Sequence, residues 1–179
     1  IKEIARQIKE PLAGKIKIDL KENQVLLKSS DVTINIEPVL KGYLADVIME
    51  DLVNAGFQNG YLELEGGIFI ARGEDFNGPW KVQVSDATTE FAHHTFLYKV
   101  SDTAAATVAD MQKSLSLSAS DIKSVTVFTK EGACKAEGMA SAAYAMGLAQ
   151  AEKFLKGADV ERAVVLDTAG QFHQFGGIR

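Results

Sequence analysis

The sequence predicts an α+β (mixed α/β) fold: a single domain with a mixed sheet and packed helices. Three observations predict it. The chain has 179 residues, which as a prior means one domain and is long enough to enclose a core without a disulfide or metal. Hydrophobic residues make up 46% and charged ones 24%, the mix of an ordinary globular protein. The apolar period switches between about 2 and about 3.6 residues, and strands cluster between helices without strict alternation.

Each element follows from its own pattern. Ile1, Ile4, Ala5 and Ile8 fall at helical spacing, and Pro11 ends that segment. Residues 15–20 and 24–28 read as a hairpin around Lys21-Glu22-Asn23. Residues 31–36 alternate as a strand, with Val32, Ile34 and Ile36 on one face. From 38 to 55 the period changes: Val39, Leu40, Tyr43, Leu44, Val47, Ile48 and Leu52 make a helical stripe. Pro38 suits its first turn and Gly56 the position past its end. Strands 61–64 and 68–71 are joined through Glu65-Gly66-Gly67, residues 74–79 form a polar loop, and 80–84 and 95–100 are further strands. Residues 121–128 are a strand with β-branched Val125, Thr126 and Val127. Residues 134–146 are small and apolar, a helix suited to close packing. Residues 149–155 continue it or add a helix, closed by Gly157. Residues 162–166 and 171–175 form a last hairpin across Thr168-Ala169-Gly170.

Charge and cysteine content narrow the function. A net charge of −5 argues against general nucleic-acid binding, which needs a basic footprint. Lys and Arg form no run, which argues against an anionic membrane surface. Cys134 is the single cysteine, so no internal disulfide forms; a reducing compartment or an exported protein without bridges both fit. No apolar run approaches the roughly 18 residues of a membrane span. No signal-peptide pattern is present, and Ile1 at the start reads as a processed or trimmed N-terminus.

Three clusters could carry chemistry. Lys41-Gly42-Tyr43-Leu44-Ala45-Asp46 lies in the first turns of the long helix. A helix start offers free N–H groups to an anion, Lys41 adds a point charge, and Gly42 permits close approach. A solvent-facing lysine and a tolerated glycine would read the same way. Gly66 and Gly67 permit positive φ, for a ligand or simply for a tight turn. Glu137 and Ser141 are four apart and share a helix face. Their oxygens suit a hard cation such as Mg²⁺, or a surface Glu and a small packing Ser. His93 and His94 form an adjacent pair that could bind a metal or act as base, or be exposed loop residues; His173 lies in the last hairpin. Cys134 reads as a small buried thiol.

In order and spacing these clusters resemble the ApbE family, the FAD:protein FMN transferases. Lys41, Gly42, Tyr43 and Asp46 match the family's Lys-Gly-Tyr-x-x-Asp helix start. Gly66 and Gly67 match its Gly-Gly pair between strands, and Pro79, Trp80 and Val82 its Pro-Trp-x-Val strand. The run Ala105-Ala106-Thr107-Val108-Ala109-Asp110-Met111 looks like an eroded Val-Ala-Thr-Ser-Gly-Asp-Tyr. Residues 125–127 and 136–142 resemble its Val-Thr-Val strand and Ala-Asp-x-x-Ala-Thr-Ala helix. The resemblance spans roughly residues 25–178 and makes residues 1–179 one ApbE-like domain, similar to the C-terminal part of that fold.

The resemblance implies an enzyme that binds FAD with Mg²⁺, cleaves the pyrophosphate and transfers FMN to a Ser or Thr of an acceptor protein. Carried over by position, Lys41, Gly42, Tyr43, Gly66 and Gly67 would line the flavin site, and Glu137, Ser141 and Thr107 would hold the metal. It also implies a bacterial protein on the outer side of the cytoplasmic membrane, its export signal removed. The departures are specific. Family members are usually longer by more than a hundred residues at the N-terminus, where half of the FAD cleft lies. Glu37-Pro38 replaces a Gly-Gly, Ile68 an acidic residue, Glu137 an Asp and Ser141 a Thr. The family's His-x-x-Asp-Pro-x-Thr-Gly segment corresponds to residues 112–123, which contain no histidine. The expectation is therefore a flavin-transferase-like protein with weakened or lost catalysis, or a nucleotide- or protein-binding module that keeps only the fold. The catalytic residue stays unassigned.

Overall fold

The computed structural model describes residues 12–19, 21–30, 32–85, 95–109 and 121–176. The chain divides into two compact units, Ile1–Ile36 and Glu37–Arg179. In the first unit, a 3₁₀ turn at Leu12–Lys15 leads into a hairpin of β1 (Ile16–Asp19) and β2 (Gln24–Leu27). Its register pairs Ile16 with Leu27 and Asp19 with Gln24. The expected hairpin is present; the expected helix over residues 1–10 lies outside the described residues. The strand expected at 31–36 does not form, and residues 32–36 have no regular structure. Alternating Val32, Ile34 and Ile36 meet the two-residue period, but a strand also needs a neighbour for its backbone groups, and no described strand pairs with this stretch.

The second unit is built on a six-stranded sheet in the order β10-β9-β8-β7-β4-β3. Its strands are β3 (Gly60–Leu64), β4 (Ile68–Arg72), β7 (Thr103–Ala109), β8 (Ile122–Thr129), β9 (Arg162–Asp167) and β10 (Phe172–Phe175). Every neighbouring pair is antiparallel, so the fold class is α+β as expected, with an antiparallel sheet in place of a mixed one. A separate hairpin pairs β5 (Trp80–Ser85) with β6 (Thr95–Val100). Three helices complete the described unit: α1 (Glu37–Asn54), α2 (Ala133–Met146) and α3 (Leu148–Gly157). None is long and apolar enough to cross a membrane.

Strand pleating divides the core into layers. Ile68, Ile70, Ala104 and Ala106 face Ala45 and Met49 of α1 and Ala133 and Ala136 of α2. Val125, Val127, Ala163 and Val165 face Ala140 and Tyr144 of α2 and Leu155 of α3. On the opposite face, Phe69, Ala71, Ala105, Phe128 and Val164 pack against Val82, Val84, Tyr98 and Val100 of the β5–β6 hairpin. Strand β7 was not read from the sequence. Its Ala-rich run has weak strand propensity, but it forms a central strand because two partners satisfy its backbone and small side chains let the helices approach.

Helix α1 also corrects an expectation. Its buried residues are Gly42, Ala45 and Met49, not the large apolar stripe: Leu40, Tyr43, Leu44, Val47 and Ile48 are all exposed. The buried face has small Gly42 and Ala45 at i and i+3, with Met49 at i+7. Helix α2 meets it with Ala133 and Ala136, each fully buried.

Candidate functional site

The start of α1 is held by two side chains of α2. The buried Glu137 carboxylate accepts the Gly42 N–H through Oε2 at 2.8 Å. One turn further along α2, the Ser141 hydroxyl donates to the Pro38 carbonyl at 3.4 Å. Pro38 and Gly42 are four residues apart, so these two backbone groups are the acceptor and donor positions of one helical i→i−4 pair. Glu137 and Ser141 share a face because they too are four apart. At Gly42 the close approach is by helix α2: a Cβ there would sit 2.5 Å from the Ala133 carbonyl oxygen.

Lys41 and Gly66 form the open side of the cluster. Lys41 is exposed, and its Nζ lies 3.3 Å from where a Cβ on Gly66 would stand. Gly66 has φ 99° and Gly67 φ 79°, a left-handed pair that only glycine adopts without strain. The turn thus leaves room for the ammonium beside its backbone. Tyr43, 55% exposed, stands on the outer surface of α1.

Thr107 does not join Glu137 and Ser141. It follows Ala106, which faces the helices, so the pleat turns Thr107 to the other face of the sheet. There its hydroxyl bonds Thr126 Oγ1 at 2.9 Å and its Cβ crowds Gly67. His93 and His94 lie outside the described residues. His173 pairs with Asp167, Nε2 to Oδ2 at 2.9 Å, in the β9–β10 hairpin.

Asp46 had no role of its own in the sequence reading. Its Oδ1 accepts the Ala133 N–H at 2.6 Å and its Oδ2 the Cys134 N–H at 2.9 Å, so a residue of α1 caps the N-terminus of α2. Gly132, φ 104°, leaves the space: a Cβ there would stand 2.9 Å from both Asp46 oxygens. The sequence signals for it are its place in the Lys-Gly-Tyr-x-x-Asp helix start and its position one turn after buried Gly42.

Burial raises the Glu137 carboxyl above the usual range, against the lowering effect of the Gly42 N–H and of Lys41. The half-buried Cys134 thiol is also pushed up, by burial first and then by Asp46 and Glu137. A thiol held protonated is a poor nucleophile, which agrees with a packing role. The cluster therefore combines an exposed ammonium, a buried carboxylate and a helix start, a set suited to an anionic ligand carrying phosphate.

The ApbE family profile matches residues 2–165. The chain belongs to the ApbE family. No curated protein matches it in sequence, but solved ApbE structures share its fold. The flavin transferase ApbE from Vibrio cholerae superposes with a TM-score of 0.74 at 18% identity, covering 96% of this chain and 58% of that one. The Pseudomonas stutzeri flavinyl transferase ApbE, in its apo form, gives 0.72 at 17%, covering 99% and 60%. The ApbE protein of Thermotoga maritima gives 0.75 at 20%, covering 97% and 61%. The chain thus spans about three-fifths of the length of these relatives.

The ApbE resemblance raised Mg²⁺, and the residues at the site fit it in kind. Glu137 and Ser141 offer oxygen donors: Glu137 spends one acceptor position on the Gly42 N–H, and Ser141 gives its O–H to the Pro38 carbonyl and keeps its lone pairs. One carboxylate plus ligand phosphates and water is a usual Mg²⁺ arrangement. Among the described residues no three His, Cys, Asp or Glu side chains form a metal cluster, so a metal here would depend on the bound phosphates.

Proposed function

We propose that this ApbE-family chain binds a flavin nucleotide at the start of α1 and carries out FMN transfer weakly or not at all. The observation that carries this reading is Lys41 Nζ set against Gly66, with the buried Glu137 one residue along at Gly42. The ammonium is placed to meet a pyrophosphate, and the glycine turn leaves its backbone open to it. Mg²⁺, where bound, would be held by Glu137 and Ser141 and would screen pyrophosphate charge. Glu137 keeps the helix start in place, and Lys41 orients the phosphate. Weak or absent transfer is supported by residues 112–123, which hold no histidine. If transfer persists, the FMN acceptor is a Ser or Thr of another protein.

The test is titration of the pure chain into FAD with and without Mg²⁺, followed by flavin fluorescence, and then assay of the mixture for AMP and FMN. Binding with little or no AMP is the expected result. Lys41→Ala should weaken FAD binding about tenfold, or about 1.4 kcal/mol; unchanged affinity in that variant would remove Lys41 from the site. Rapid AMP release would overturn the reduced-catalysis part alone. A second reading, a protein-binding module that keeps only the fold, is favoured by the exposed Leu40, Tyr43 and Leu44 on α1. It predicts no FAD binding with or without metal.

A further inference from the structure

Strand β3 forms one edge of the six-stranded sheet, and no described strand pairs with its outer side. The Thr107 N–H donates to the Gly67 carbonyl at 2.9 Å, and along an antiparallel strand successive residues turn their backbone groups to alternate sides. With β4 in register against β7 from Ile68↔Ala106 to Ala71↔Thr103, Phe69 and Ala71 turn theirs to β7. Ile68 and Ile70 turn theirs to β3, where they meet Leu64 and Leu62. The alternate residues Tyr61 and Glu63 therefore point their N–H and C=O groups out from the edge, a row open to pairing with another chain.

The side chains of the same two residues give this edge its chemistry. The Tyr61 ring stacks on Phe69, centroids 5.8 Å apart, and lies 5.7 Å from Trp80. Glu63 is exposed, and its Oε2 accepts the Tyr61 hydroxyl at 3.4 Å. Burial first, and then the charge and hydrogen bond of Glu63, push the Tyr61 phenol up to about 12, so it stays a donor. Glu65, also exposed, follows in the turn, and β3 itself carries no Lys or Arg. Among the described residues no cation forms an ion pair with Glu63 or Glu65. On the other face of the strand, Leu62 and Leu64 are partly buried against the layer that holds Ala45 and Met49 of α1.

We propose that β3 docks an extended basic segment of a partner protein as an added strand, with Lys or Arg beside Glu63 and Tyr61 and an apolar residue beside Leu62. Residues directly opposite on paired strands put their side chains on one face. The two partner residues that bond to Tyr61 and Glu63 thus share the acidic, aromatic face, and the residue between them falls on the Leu62 face. Main-chain bonds hold a strand added in this way, and alternate side chains select it. Glu63 is the selecting group, because opposite charges across a pair stabilise it and like charges oppose it. Tyr61, held by Phe69 and Trp80, gives the stem of a Lys or Arg an apolar surface to lie along. A second copy would bring its own Glu63 and Glu65 to the same edge, in a chain of net charge −5, so a basic partner is the favoured occupant.

The probe is an amidated peptide, Lys-Val-Lys-Val-Lys-Val, with fluorescein at its N-terminus, titrated with the full chain by fluorescence anisotropy. Its counterpart is Glu-Val-Glu-Val-Glu-Val. Saturable binding below about 1 mM is expected for the basic peptide alone. Glu63→Lys should weaken it at least about tenfold with an unchanged circular dichroism spectrum, and Glu63→Gln should fall between that variant and wild type. Amide hydrogen exchange followed by NMR should slow at Tyr61 and Glu63 in the complex, a change that charge attraction without strand pairing would not produce. No binding up to about 1 mM overturns the proposal. Equal binding of the acidic peptide, or a Glu63→Lys chain that binds like wild type, overturns it as well. Binding that leaves exchange at Tyr61 and Glu63 unchanged puts the peptide elsewhere and overturns docking on β3. Exchange that slows at these amides in the peptide-free chain as its concentration rises would give the edge to a second copy instead, and would overturn the basic partner.

Discussion

The Asp46 carboxylate caps the N-terminus of a helix that begins 87 residues later, accepting the Ala133 N–H at 2.6 Å and the Cys134 N–H at 2.9 Å. It joins α1 to α2 at the same interface where Glu137 of α2 reaches back to Gly42 of α1. Replacing the cap should therefore loosen both helix starts. Asp46→Ala is expected to cost about 1–2 kcal/mol in urea denaturation, and Asp46→Asn less, since one acceptor oxygen remains. A loss below a few tenths in both variants would show that the cap carries no weight.

Gly42 and Gly138 make opposite predictions. A Cβ on Gly42 would stand 2.5 Å from backbone oxygen of Ala133. Gly42→Ala should destabilise by about 1–3 kcal/mol through overpacking, more than the roughly 1 kcal/mol that alanine gains in a helix. A Cβ on Gly138 would meet only Val39 Cγ1 at 3.4 Å, so Gly138→Ala should be neutral or stabilise by up to about 1 kcal/mol. Unfolding midpoints of the two variants, compared side by side, check the pair.

Glu137 sets stability against binding. Its folded-state pKa is raised, chiefly by burial, so ionising it costs the folded protein more than the unfolded chain. Stability attributable to the group is full below the unfolded value near 4.3, falls as pH rises toward the raised folded value, and is flat above it. Glu137→Gln keeps an acceptor for the Gly42 N–H and removes the charge. Its Tm should exceed wild type at pH 7 and converge with it near pH 4, while Mg²⁺-dependent FAD affinity drops. A Tm several degrees below wild type at pH 7 would contradict this sign.

Asp167 has the reverse sign. His173, and after it the Gln171 N–H, holds its carboxyl below the usual range; an ionised carboxylate only accepts, so the His173 Nε2–H donates. This contribution is complete above the unfolded value near 3.9 and is lost as pH falls through the lowered folded value. Asp167→Asn should lower Tm by about 3 °C or more at pH 6. The gap should close at more acid pH in thermal melts from about pH 6 to about pH 2; a gap that does not change with pH would assign the effect to packing instead.

The sequence alone determined the elements whose signal is local. Periodicity and punctuation placed α1 between Pro38 and Gly56, the β3–β4 hairpin around Gly66 and Gly67, and the small-residue helix after Cys134. The ordered motifs, from Lys41-Gly42-Tyr43 to Glu137 and Ser141, identified the family. Tertiary structure decided what depends on a neighbour distant in sequence. It left residues 32–36 outside any described sheet, and made Ala-rich residues 103–109 a central strand because β4 and β8 pair with them. It turned the small face of α1 inward, because the Ala133 carbonyl lies where a side chain on Gly42 would stand. It also separated Thr107 from Glu137. Sequence order brings both into one series of motifs, but alternation along β7 sends the Thr107 side chain to the opposite face of the sheet, a consequence of register rather than composition.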